Sequence, residues 1–411
     1  MARRSTDPKR VLILGGGFAG LAAALELKGS RHQVTLIDQN RWFEFLPNIH
    51  ELLSGVKTPD LLRLPLDDSL RQAGHKFIRD SVTSIDTASR TVSTQRRKRP
   101  IGYDVLIVTF GGADATRGVD GVVENALPFK SVAQCKRIGQ RLSQLARRRK
   151  PANVVVVGGG LEGVEALGEI LRRYRGRMDV ALVEARERML PEAPKALDTH
   201  LRELCSPYEV RFEMEAPVAK IEAKTVTLRD GRSLPSDLTI WTGGPAPPAL
   251  LAENGLAPPG AWAPVDMTLQ SKGHPEVFIA GDAAELPTPL AKQAYHAMDM
   301  GVCAARNADR LLAGRSLSAF RPSGKPTLIS FGDLTCFLVV GDRALAGPSL
   351  GAAKEAVFEL VMTQLETRAC SSLLPRVVRR ADQAARELLW PTVSSLEALR
   401  RQGRVSLLSS P

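Results

Sequence analysis

Short apolar runs recur along the chain, and most of them stop at a glycine or an acid. Val11-Leu12-Ile13-Leu14 is unbroken, so it reads as a strand buried on both faces of a parallel sheet. Apolar positions at helical spacing follow from Leu21 to Leu27, and a second strand, Val34-Thr35-Leu36-Ile37, ends at Asp38. The same order returns downstream. Asn153 leads into Val154-Val155-Val156-Val157, a helical pattern runs through Val164, Ala166, Leu167, Ile170 and Leu171, and Val180-Ala181-Leu182-Val183 ends at Glu184. Three more strands are expected: Tyr103 to Phe110 entering Gly111-Gly112, Leu238 to Thr242 entering Gly243-Gly244, and Glu276 to Ala280 entering Gly281-Asp282. Strands alternating with helices predict an α/β fold built on parallel sheets.

The turns between these elements carry the chemistry. Gly15-Gly16-Gly17-Phe18-Ala19-Gly20 and Gly158-Gly159-Gly160-Leu161-Glu162-Gly163 are both G-x-G-x-x-G. In this pattern Gly15 permits the tight turn, Gly17 lets the backbone approach a pyrophosphate, and Gly20 lets the helix pack close to the strand. Free N–H groups at the helix start then face the phosphate charge. Asp38 and Glu184 stand where an acid accepts hydrogen bonds from an adenosine ribose. With strand, helix and acid in place twice, the chain is expected to hold two dinucleotides. Glu184 would repel a 2′-phosphate and so favours NADH over NADPH, although Arg186 and Arg188 nearby are residues that can hold such a phosphate. Asp282, at the end of a strand, can reach the ribityl and phosphate region of a flavin.

Charge and cysteine content narrow the surroundings. Lysine and arginine number 56 against 44 acids, a net charge of +12, in runs such as Arg96 to Arg99 and Arg147 to Lys150. Aromatics make up only 5% and do not interleave with these runs, so no nucleic acid partner is expected. Solvated turns and an anionic membrane surface both remain open as explanations. No apolar run approaches the ~18 residues of a membrane span, and no secretory signal precedes Val11. The five cysteines are far apart with no C-x-x-C, and the six histidines lack metal spacing. A cytoplasmic protein without a metal is expected.

This ordered set resembles the two-dinucleotide-binding flavoproteins, and in particular the type II NADH dehydrogenase family, over roughly residues 10–365. GGGFAG with Asp38 looks like the family's FAD fingerprint, and GGGLEGVEALGEI like its second one. Phe45-Leu46-Pro47 through Gly55 resembles a segment that lies over the flavin, IWTGG resembles its W-T-A-G element, and FIAGDAAE its Gly-Asp flavin motif. The resemblance implies two Rossmann-like domains, with an FAD domain at 1–118 and 258–322 interrupted by an NAD(H) domain at 119–257. A C-terminal domain follows at 323–411, opening on KPTLISFG. It implies hydride transfer from NADH to FAD, then two electrons to a quinone or quinone-like acceptor. FAD is expected on Gly15, Gly16, Gly17, Phe18, Ala19, Gly20, Asp38, Pro47, Val82, Thr109, Gly111, Gly281 and Asp282. NADH is expected on Gly158, Gly160, Gly163, Glu184 and Gly243. Glu165 is placed near nicotinamide and flavin, and Lys292 where it can stabilise reduced flavin or the acceptor's oxygen. Gln293, Ala297 and Met300 are expected at the acceptor.

Two departures qualify the likeness. The family's paired glutamines before a glycine are replaced by Ala297-Met298-Asp299-Met300-Gly301, and the threonine of its second fingerprint is Glu162. The first leaves a membrane quinone and a soluble quinone-like metabolite as rival acceptors. Disulfide reductases need a close cysteine pair, which is missing. Sulfide:quinone oxidoreductases need cysteines flanking the flavin, for which Cys135 and Cys336 are the candidates by position. His296 reads either as a proton donor or as an ordinary packed histidine. Leu373, Leu374, Val377, Val378, Ala381, Ala384, Ala385, Leu388 and Leu389 form an apolar stripe on a helix expected at about 372–390. Arg376, Arg379, Arg380 and Arg386 line its other side. Such a helix either lies on an anionic bilayer, on the cytoplasmic face of the inner membrane, or packs on the protein's own core or on a second subunit of a homodimer.

Overall fold

The structure, a computed structural model, describes residues 7–369 and 406–408. The first apolar run forms β1 (Arg10–Leu14), the glycine turn leads into α1 (Phe18–Glu26), and β2 (Gln33–Asp38) returns parallel to β1. Val11 stands opposite Val34 and Leu14 opposite Ile37. After β2 the chain makes a short helix, α2 (Glu51–Ser54), and adds β3 (Lys76–Arg79) to the edge. The strand expected from Tyr103 to Phe110 is shorter, β4 (Val105–Val108), on the other side of β1. The Asp104 carboxylate, 2.7 Å from the Arg10 amide, accepts a hydrogen bond at its start.

The middle of the chain builds a second sheet from β5 (Ala126–Pro128), β6 (Ala152–Val157), β7 (Met178–Val183), β8 (Arg211–Glu213) and β9 (Leu238–Trp241), all parallel, in the order β5-β9-β6-β7-β8. Helix α3 (Val132–Leu145) precedes β6 and α4 (Leu161–Tyr174) follows it. The chain then returns to the first sheet. β10 (Gln270–Ser271) runs antiparallel to β11 (His274–Ile279), and β11 pairs parallel with β4, giving the order β10-β11-β4-β1-β2-β3. The two chain crossings pair with each other, Ala113–Asp114 against Pro245–Ala246. The Trp241 indole N–H donates to the Ala115 carbonyl at 2.6 Å beside them.

Burial explains the two helix compositions. α1 is buried from Phe18 to Leu25, because it is squeezed between the sheet and α5 (Ala294–Leu312). Gly301 of α5 permits that approach, since a Cβ there would overlap the Ala19 carbonyl. An antiparallel sheet of β12 (Thr327–Phe331), β13 (Thr335–Val340), β14 (Arg343–Ala346) and β15 (Ser406–Leu408) follows, with α6 (Ser349–Ala369) packed on it. β12 lies on α4 at Gly168, where a side chain would meet the backbone of Phe331 and Gly332. No helix of the described residues is long and apolar enough to cross a membrane. The amphipathic helix expected at 372–390 lies outside the described residues.

Candidate active site

The two glycine turns sit at the carboxyl ends of β1 and β6, the ends at which parallel sheets bind ligands. Gly15 and Gly158 hold φ of +102° and +109°, backbone that strongly favours glycine. Thr109 and Thr242, at the ends of the neighbouring strands, tie these turns down. The Thr109 hydroxyl donates to the Leu14 and Gly15 carbonyls at 2.8 and 2.9 Å, and that of Thr242 to Val157 and Gly158 at 2.8 and 3.1 Å. The Asp38 and Glu184 carboxylates accept from the amides of Gly16 and Gly159, each at 2.6 Å. Burial pushes the Asp38 carboxyl up, against the amides of Gly16 and Asn40. A carboxylate has about four acceptor sites, so both acids keep capacity for ribose hydroxyls.

Two pairs of glycines separate folding from binding. A Cβ on Gly20 or Gly163 would overlap the carbonyl of Gly15 or Gly158, so the fold itself requires them. A Cβ on Gly17 or Gly160 would meet no protein atom within 4 Å. Nothing among the described residues requires glycine there, whereas a pyrophosphate drawn against the backbone would. Neither α1 nor α4 has a side-chain N-cap, so no cap occupies their leading amides. Both turns therefore fit a dinucleotide.

Gly281, Asp282, Lys292, Gln293, Ala297 and Met300 line one small cleft, which brings the flavin motif and the expected acceptor residues together. Lys292 donates to the Asp282 carbonyl at 2.6 Å and stands 3.7 Å from the centre of the Trp262 ring. Burial lowers the Lys292 pKa, against Asp282 and Glu285, and raises that of Asp282, against Lys292 and Lys130. Ala297 and Met300 are buried, while Asp299 turns away to an ion pair with Lys325 at 3.0 Å. His296 is also buried, with Nδ1 2.9 Å from the Ala291 carbonyl and Nε2 3.2 Å from that of Ser323. It is a packed histidine held by backbone on both sides. Pro47 lies in the 3-10 turn Leu46–Asn48, beside Phe45, whose ring meets Phe18 and Phe358 edge to face. Val82 opens the strand Val82–Asp86, Gly111 sits at φ +67°, and the Gly243 carbonyl accepts from Arg117 at 2.9 Å.

Glu165 is enclosed, at 5% exposure, and its partners come from distant parts of the chain. Lys354 of α6 lies 2.5 Å away, the Ser330 amide donates at 3.1 Å, and His50 Nδ1 stands 3.3 Å off. Burial raises the Glu165 pKa, with Lys354 opposing. Burial, Lys354, Arg172 and Lys57 hold His50 well below the usual histidine range, so His50 faces the carboxylate as a neutral ring rather than an ion-pair partner. One turn on, Glu169 accepts from the Ser54 hydroxyl and from Arg172 at 3.3 Å, and burial pushes its pKa up to about 7. Lys354, His50, Ser330 and Trp262 carried no signal in the sequence, because each meets its partner only through the fold.

Two expectations sharpen. Arg186 pairs with Glu192 at 2.5 Å, and Arg188 donates to the carbonyls of Leu190 and Pro191 at 2.9 and 2.6 Å. Both arginines are engaged within the chain. Cys135 and Cys336, the positional candidates for a sulfide chemistry, are buried with thiols raised by desolvation, that of Cys336 to about 11. Such thiols stay protonated and unreactive. Among the described residues no cluster of histidine, cysteine and carboxylate side chains suits a metal.

Residues 9–301 match the pyridine nucleotide-disulphide oxidoreductase family. The chain belongs to that family. Within it, a relative from Staphylococcus epidermidis named type II NADH:quinone oxidoreductase is 26% identical over 383 residues, covering 85% of this chain and 94% of the relative. A Staphylococcus aureus protein of the same name matches at the same identity and coverage. Among solved structures, NDH2 from Plasmodium falciparum in complex with NADH superposes with a TM-score of 0.79 at 16% identity, over 92% of this chain and 98% of that one. The sulfide:quinone oxidoreductase of Aquifex aeolicus gives 0.78 at 18% identity, over 98% of each chain. Both structures share the family's two-sheet fold.

Proposed function

We propose that this member of the pyridine nucleotide-disulphide oxidoreductase family is an FAD-dependent enzyme that oxidises NADH and reduces a quinone or quinone-like acceptor. The observation that carries the reading is the duplicated turn, closely matched in its φ, threonine tie and acid-to-amide bond, with an open glycine in each copy. The similarity to proteins named type II NADH:quinone oxidoreductase supports the donor and acceptor. When bound, FAD supplies the ring that takes hydride from NADH and passes two electrons on.

The chain's own residues do the binding and the electrostatics. The turn from Gly15 to Gly20, with Asp38, Thr109, Gly111, Gly281 and Asp282, holds FAD, and Pro47 and Val82 complete its surroundings. The turn from Gly158 to Gly163, with Glu184 and Gly243, holds NADH. Lys292, backed by Trp262, places a positive charge beside the cleft of Gln293, Ala297 and Met300 and so favours electron-rich states there. Glu165, anchored by Lys354, is the second catalytic candidate. The division into an FAD domain at 1–118 and 258–322, an NAD(H) domain at 119–257 and a C-terminal domain from 323 belongs to the same proposal. The cationic segment 372–390 is proposed to seat the protein on an anionic membrane surface, with packing on the protein's own core or on a second copy as the alternative.

Purified protein, with its flavin followed by absorbance, tests this reading. We expect a yellow protein with non-covalent FAD that turns over NADH with small quinones. A folded protein that takes up no FAD, or one that holds FAD yet oxidises no NADH with any quinone in a panel, overturns it.

A further inference from the structure

Arg117, on the first chain crossing, holds φ of +55°, left-handed backbone that costs a residue with a Cβ free energy, and Gly118 follows at +70°. Its guanidinium reaches across to the second crossing. Nε donates to the Gly243 carbonyl at 2.9 Å, and Nη2 to the Pro245 carbonyl at 3.2 Å. A glycine at 117 would adopt the same backbone without strain, but both carbonyls would lose this charged donor. The crossings have other ties. Ala113–Asp114 pair with Pro245–Ala246, the Trp241 indole donates to the Ala115 carbonyl at 2.6 Å, and Gly112 packs so closely on Pro245 that a Cβ would overlap it. Strain kept to place one side chain directs attention to what that side chain holds.

The Gly243 carbonyl belongs to the peptide between Gly243 and Gly244. Among the described residues every peptide is trans, so the C=O and N–H of this planar unit point in opposite directions. With the carbonyl turned to Arg117, the Gly244 N–H is turned away from the first crossing, and no described residue accepts from it. Gly244 itself sits at φ +75°, which favours glycine. Thr242, just before this peptide, donates to the Val157 and Gly158 carbonyls at 2.8 and 3.1 Å. The oriented amide therefore adjoins the second glycine turn.

We propose that Arg117 is a positioning residue that aims the Gly244 amide at the nicotinamide half of the bound dinucleotide. The proposal rests on the reading that the second turn binds NADH. On that reading Glu184, directly after β7, takes the adenosine ribose, and the turn after β6 takes the pyrophosphate. The strand order β9-β6-β7 leaves the carboxyl end of β9, where Gly243 and Gly244 lie, for the other half of the ligand. Arg117 acts there through the backbone, and its own side chain stays on the two carbonyls.

The test uses full-length, FAD-loaded protein and two ligands, NAD⁺ and ADP, which ends at the pyrophosphate and lacks the whole nicotinamide half. Dissociation constants come from calorimetry. Arg117→Gly keeps the backbone conformation and removes the donor. It should retain FAD, bind NAD⁺ about tenfold more weakly than wild type, and bind ADP as before. Arg117→Lys, a point charge in place of a fork, should recover part of the NAD⁺ affinity. Unchanged NAD⁺ affinity in Arg117→Gly overturns the proposal. Equal weakening of NAD⁺ and ADP, or loss of FAD from both variants, also overturns it and leaves Arg117 as a tie between the crossings only. If FAD-loaded wild type binds no NAD⁺, the NADH reading itself fails, and the proposal fails with it.

Discussion

The two glycine turns are near copies, but the helices that leave them are not. Counted from the turn, Ala19 and Ala22 of α1 occupy the places of Glu162 and Glu165 in α4. α1 is enclosed between sheet and α5 and is buried from Phe18 to Leu25, so apolar side chains fill it. α4 instead faces a seam shared with α2, β12 and α6, which supply Ser54, Ser330, Lys354 and His50. One backbone geometry serves both turns. What packs over each helix decides whether that helix can carry charge.

The largest effect separates binding from folding within each turn. Gly17→Val should give a folded but colourless protein, because an added Cβ meets no described protein atom within 4 Å and the side chain would fill the phosphate's place. Gly160→Val should stay yellow and lose NADH binding. Absorbance and dinucleotide titration distinguish the two. If both variants lose FAD, or both keep NADH binding, the turns do not divide the ligands as proposed.

The second effect belongs to α4 alone. Glu169 titrates at about 7 in the folded protein, raised from 4.5 by burial. Between those values the folded state keeps a proton that the unfolded chain has released, so stability falls as pH rises through this window. A shift of that size corresponds to about 3 kcal/mol. Glu169→Gln removes the titration, so the variant should gain on wild type from pH 5 to pH 8 by up to about that amount. Melting temperatures of the pair across this range are the measurement. A difference independent of pH would mean that Ser54 and Arg172 keep the carboxylate ionised throughout.

The contrast also shows what a sequence can display. The turns were legible because glycine leaves a direct mark where backbone must bend or be approached, as at Gly15 and Gly158. β1, β4, β6, β9 and β11 were legible as apolar runs, since both their faces are covered. The setting of Glu165 was not, because its partners lie at positions 50, 330 and 354, and nothing local predicts that a helix-start glutamate will meet a lysine from α6. His296 was ambiguous for the same reason. Its two carbonyl partners belong to loops whose paths no periodicity describes. The arginines after Glu184 looked available for a phosphate, and only the loop at Leu190, with φ +47°, shows that Arg188 is spent on carbonyls.

The smallest effect concerns the two acids. Asp38 and Glu184 make the same bond to a turn amide, yet only the second faces a choice of ligand, since FAD has no 2′-phosphorylated counterpart among the expected cofactors. Asp38→Ser should therefore lower FAD affinity without altering any preference. Glu184→Ser should raise the NADPH to NADH ratio of kcat/KM by about tenfold, the size of one repulsive contact of ~1.4 kcal/mol. It should not invert the preference, because Arg186 stays paired with Glu192 and Arg188 stays on its carbonyls. Adding Glu192→Ala frees the Arg186 guanidinium and should move the ratio further toward NADPH. An unchanged ratio in Glu184→Ser would mean that the acid serves only its bond to the Gly159 amide, and the two turns would then differ in nothing but the helices behind them.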